Sequence, residues 1–159
     1  MRKKKKWISY QNGEKIKYII NNKDTIEYFA EVIESRKNRD QGSYRGRDLC
    51  DEISENVKVL LKYININPIP ESLQYLEYEI NSDSFSGTKN RSSLHALSTN
   101  ESLIPDSNVV INGISYPVYN FLYDNKYHYL EKVTFSKDLG YLYVRDTAGN
   151  FITYLNKIQ

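Results

Sequence analysis

Five cations stand within twelve residues of this chain, at Arg36, Lys37, Arg39, Arg45 and Arg47, with Gly42, Tyr44 and Gly46 among them. Guanidinium groups clamp phosphates, glycines let a backbone come close, and a tyrosine ring offers a base a stacking surface. Cations at this density cannot be buried unpaired, so they meet water or an anionic partner. Arg36, Lys37, Arg39, Tyr44, Arg45 and Arg47 are therefore the expected binding residues. The competing reading is a solvated loop whose charge is balanced by Asp40, Asp48 and Asp51.

Other residue patterns suggest chemistry less specifically. Asp124-Asn125-Lys126 has the D-x-K spacing of metal-dependent nuclease cores, where a carboxylate binds Mg²⁺ and a lysine stabilises charge. Asp106 or Glu131 would supply the further acid, but the same letters also make a good turn. Ser86-Gly87-Thr88-Lys89 satisfies S-x-x-K without the companion motifs that nucleophile needs. Arg91 and His95 resemble the Arg…His pair of HEPN-type ribonucleases in residue type alone, since the spacing is one residue short and the helical architecture is missing. His128 reads as a structural imidazole on a strand. With only two histidines and one cysteine, Cys50, a His-rich or Cys-only metal site is not expected, and no internal disulfide can form. Cys50 reads as a small core residue. Asp48, Asp51, Glu52 and Glu55 suit the N-terminal turns of a helix, where the backbone dipole favours acids. No cofactor is expected.

The elements that must carry these residues read as α+β, in one domain over 1–159. Trp7–Tyr10 and Lys15–Ile20 flank Asn12-Gly13, a tight-turn signal, and suggest a first hairpin. Asp24-Thr25-Ile26-Glu27 follows a capping box, and Ile26, Phe29, Ala30 and Ile33 recur at helical spacing, which predicts a helix over 25–36. A second helix is expected behind Asp48, on the stripe Leu49, Ile53, Val57, Leu60, Leu61 and Ile64. Pro70 would open a third over Glu71–Ile80. The last third alternates as strands: Val109–Ile111 with Ile114–Tyr119 across Asn112-Gly113, then Tyr127–Phe135, then Tyr141–Val144 with Phe151–Tyr154. The expected architecture is an antiparallel sheet covered by two or three helices, with residues 1–6 a disordered basic tail and 81–107 a long polar loop.

Charge is uneven along the chain. Residues 1–47 hold 13 Lys/Arg against 6 Asp/Glu, whereas 48–106 hold 4 against 10. Such asymmetry suits an anionic partner at one end. No apolar run approaches the length of a membrane span, so a cytoplasmic setting without membrane contact is expected. Heavy Asn, Lys, Ile and Tyr usage suggests an AT-rich source such as a low-GC bacterium, its phages or its mobile elements. Eight of the 15 tyrosines fall in the β third, as core or as a recognition surface. Together these observations point to a non-enzymatic binding protein, of the kind that small phage or mobile-element inhibitors represent, acting on a protein or nucleoprotein target. A nucleic-acid-binding protein using the loop 36–47 is the first alternative, and a Mg²⁺-dependent nuclease the second. Exposed tyrosine strands would equally serve a homodimer.

Overall fold

A computed structural model describes residues 8–38, 53–81, 93–94, 104–123 and 129–158. The described chain begins with β1 (Lys15–Ile20), β2 (Asp24–Asn38) and β3 (Ile53–Tyr63), followed by the single helical turn α1 (Glu71–Gln74), β4 (Tyr75–Asn81) and the two-residue β5 (Ser93–Leu94). The second half holds β6 (Ser107–Ile111), β7 (Ile114–Leu122), β8 (Leu130–Ser136), β9 (Gly140–Asp146) and β10 (Phe151–Ile158). All ten strands form one sheet in the order β5-β4-β3-β2-β1-β10-β9-β8-β7-β6. Every pairing is antiparallel except the short β4–β5 contact.

The α+β expectation is thus overturned, because both long helices expected from the sequence are strands. Residues 24–38 satisfy two periods at once. Ile26, Phe29, Ala30 and Ile33 fit a helix, while Ile26, Tyr28, Ala30 and Val32 alternate and face the core. Tertiary pairing decides between them: β2 lies between β1 and β3, and Val32 stands opposite Val59. Likewise Val57, Val59 and Leu61 point inward while Lys58 and Lys62 face out to Glu77 and Glu31. The third helix shrinks to one turn after Pro70, which buries Leu73; Leu76 and Tyr78 then alternate into the core from β4. The first hairpin also shifts. Asn12-Gly13 leads into β1, whose hairpin partner is β2, across Asn21-Asn22-Lys23. In the last third the expected pairs form, with Asn112 (φ 51°) and Gly113 (φ 80°) closing the β6–β7 hairpin.

The sheet is strongly curled. In its order β4 and β8 are far apart, yet the Tyr78 ring lies 5.1 Å from Phe135 and 5.8 Å from Tyr141, edge to face. The inner face therefore closes on itself around one core, with Tyr18, Tyr28, Tyr78, Tyr141 and Phe135 as its largest fully buried side chains. Residues 8–14 run into this core ahead of β1. The Ser9 hydroxyl reaches the carbonyls of Ser136 and Lys137, its N–H donates to the Tyr78 hydroxyl, and Gly13 and Glu14 bond the backbone of Ala30. No helix among the described residues is long and apolar enough to cross a membrane.

Candidate functional site

The structure places only part of the expected basic site. Arg36 and Lys37 occupy the last residues of β2, where their backbones stand opposite Glu55 and Ser54 of β3. Arg39, Tyr44, Arg45 and Arg47 lie outside the described residues, as do the acids Asp40, Asp48 and Asp51. What is visible is the support. Strand β1 pairs with β2 only as far as Phe29, and residues 12–14 bond Ala30 and Val32 beyond it. From Ile33 onward β2 has one described neighbour, β3, paired through to Asn38–Ile53. The basic segment is the connection between these two strands. It springs from the far end of β2 and β3, which outruns β1. There β4 still flanks β3 as far as Asn56–Asn81, so the two-stranded ribbon is Arg36–Asn38 with Ile53–Glu55, and Ile33 and Glu34 just before it are exposed.

The remaining chemical candidates separate. Asp124, Lys126, His128, Ser86, Lys89, Arg91, His95, Cys50, Trp7 and the tail 1–6 lie outside the described residues. Glu131 is ion-paired with Arg145 at 2.9 Å, and the Asp106 carboxylate accepts the Asn120 N–H at 2.6 Å. Among the described residues no group of three or more His, Cys, Asp or Glu could hold a metal ion.

Six tyrosines among the described residues, Tyr10, Tyr18, Tyr28, Tyr78, Tyr119 and Tyr141, are buried. Of the eight in the β third only Tyr119 and Tyr141 are among them, so the rings of that third divide between core and surface. The Tyr141 N–H donates to the Tyr10 hydroxyl at 2.6 Å, and the Tyr18 hydroxyl donates to the Tyr141 carbonyl at 2.9 Å. Tyr18 has spent its single proton there, so Tyr10 donates across the 3.2 Å contact between the two phenols. The bonds close a ring through the backbone of one residue. Burial raises the pKa of Tyr10, Tyr18, Tyr141, Tyr28 and Tyr78 above the ordinary phenol value, with neighbouring phenols adding to the rise at Tyr10. These are neutral, held phenols, and their geometry does structural work. Lys157 sits 5.0 Å over the Tyr10 ring, bonds the Ser9 carbonyl and faces Glu14 at 3.4 Å.

A second polar knot lies at the β9–β10 turn. The buried Asp146 carboxylate accepts from the Asn150 backbone at 2.7 Å, the Asn150 side chain at 3.0 Å and the Ser72 hydroxyl at 2.8 Å. These three hydrogen bonds hold it in place, and it ties α1 to β9. A cleft of about 660 Å³ opens between the β1–β2 turn and residues 64–70, lined by Lys23, Asp24, Asn65 and the fully exposed Ile66 among others. Asn65 is already engaged there, accepting the Glu27 N–H at 2.6 Å.

One feature escaped the residue-by-residue reading. From Ser107 to Tyr123 the sequence runs 17 residues without a charge, although 26% of the chain is charged. This run is β6, its turn and β7, at one edge of the sheet that the described residues form, with Val110 68% and Ile114 55% exposed. Charge spacing along the sequence was the signal that marks it. Comparison with protein-family models, with curated proteins and with solved structures finds no match for this chain.

Proposed function

We propose that this protein is a non-enzymatic binding protein that takes a macromolecular target on the free end of the β2–β3 hairpin. The supporting observation is the far end of β2 and β3. There β2 passes β1 at Ile33 and Glu34, with that edge open among the described residues, and then forms with β3 the short ribbon that delivers the backbone of the basic segment to its end. A projecting pair of strands presents two faces and an edge to a partner, the arrangement that strand-based recognition uses. An inhibitor that occupies its target in the cytoplasm, of phage or mobile-element origin, is the biological form we attach to this reading.

A photo-crosslinking side chain at Ile33 or Glu34, introduced in the cells that make the protein, tests it. Adducts to one recurring macromolecule are expected, and their sensitivity to nuclease or protease gives its class. A probe at Lys23, at the opposite end of β2, serves as the control. Equal adducts from both ends, or none from Ile33 and Glu34, would remove the hairpin from the function.

The position of Arg36 and Lys37 at the end of that ribbon favours nucleic acid as the second reading. It requires affinity for labelled DNA or RNA that falls steeply with salt and is lost on reversing both charges to Glu.

A further inference from the structure

Among the described residues the strand order leaves β6 at one end of the sheet, paired on one side only, with β7. Edge strands in soluble proteins are ordinarily guarded by charge, proline or a bulge, because their unpaired backbone groups template further pairing. β6 has none of these guards. It reads Ser-Asn-Val-Val-Ile, and pairs with β7 in unbroken register from Ser107–Val118 to Ile111–Ile114.

The turn fixes which backbone groups face outward. A two-residue loop with both residues at positive φ is closed by a hydrogen-bonded pair, here Ile111 with Ile114. Antiparallel pairs alternate, so Val109–Tyr116 and Ser107–Val118 are also bonded. The N–H and C=O groups of Asn108 and Val110 consequently point away from β7. We propose that a second copy of this chain adds its own β6 to this edge, antiparallel, about a two-fold axis through Val109.

That register uses every outward group. Asn108 stands opposite Val110 of the partner subunit, and the reciprocal pair repeats across the axis, giving four backbone hydrogen bonds. A centre at Val110 would place Asn108 opposite the turn residue Asn112, whose φ of 51° does not continue a strand. The occupant is a copy of this chain because the edge is complementary to itself. Antiparallel pairing about Val109 opposes only uncharged residues along the strand, and the flanking Asp106 falls opposite Asn112 of the partner subunit rather than another acid. Val110, 68% exposed, would gain Asn108 of the partner subunit as its cross-strand neighbour beside the axis. Five paired residues a side make a small interface, so the dimer is a weak, concentration-dependent one.

Sedimentation equilibrium over rising concentration tests the pairing. Wild type is expected to move from monomer to dimer. Val110→Lys should weaken the dimer at least about tenfold, because it sets like charges near the axis, and should leave the urea midpoint unchanged at so exposed a site. In a Cys50→Ser background, Val109→Cys should give a disulfide-linked dimer under mild oxidation, since opposed residues in a non-bonded antiparallel pair lie within disulfide reach. Wild type that stays monomeric throughout, a Val110→Lys dimer as tight as wild type, or a Val109→Cys chain that does not link would each overturn the proposal.

Discussion

At the scale of single residues, the fold is organised by phenols that both pack and bond. Tyr10 and Tyr18 satisfy the two backbone groups of Tyr141, so each hydroxyl is fixed by the one before it. Tyr141 presents the contrast: its own hydroxyl is buried and has no hydrogen-bond partner among the described residues. Removing a bonded hydroxyl strands its partners, whereas removing an unbonded one relieves a desolvation cost. Tyr18→Phe should therefore cost about 1–3 kcal/mol in urea unfolding. Tyr141→Phe should be neutral or stabilising in the same assay. A tyrosine's role was only half legible in the sequence. Alternation shows that some rings in the β third turn inward, but Tyr10, Tyr28 and Tyr78 lie elsewhere, and only the curl of the sheet brings them together.

At the scale of elements, the two long strands taken for helices show where periodicity fails. Residues 26–33 carry apolar side chains on both faces of a strand, since Phe29 and Ile33 stand outside while Tyr28 and Ala30 stand inside. Such a run fits either period, and local sequence cannot choose. The C-terminal hairpins were legible because Asn112-Gly113 and Gly149 supply turn conformations that need no tertiary help. The β8–β9 connection is more constrained than its letters suggest. Gly140 has φ +86°, and a Cβ built there would come within 2.1 Å of the Tyr10 ring. Gly140→Ala should thus cost about 3 kcal/mol or more, read as a drop in urea midpoint, because ring and backbone must both move. Of the candidate binding site, the sequence shows the cations; the ribbon that carries Arg36 and Lys37 depends on pairing with β3, which charge patterns do not reveal.

At the scale of the whole molecule, five phenols held neutral in one core couple stability to alkali. Tyr10, Tyr18, Tyr28, Tyr78 and Tyr141 have pKa values raised by burial above the ordinary 10.0, so the folded state retains protons that the unfolded chain releases. Stability is fully present below that ordinary value and is lost as pH climbs from it toward the folded values. Each phenol contributes a slope of about 1.4 kcal/mol per pH unit in that window. Loss of β circular dichroism and appearance of tyrosinate absorbance should coincide in one steep transition above pH 10.0; gradual titration ahead of unfolding would contradict a sealed core. The same architecture bears on how the protein is made. Strand β10 follows every other described strand in the chain, yet it alone joins β1 to β9. A ribosome reaches it on the order of ten seconds after finishing β1. Through that interval the nascent chain carries two incomplete meanders with open edges, so the newborn molecule, more than the finished one, is where chaperones and misassembly compete.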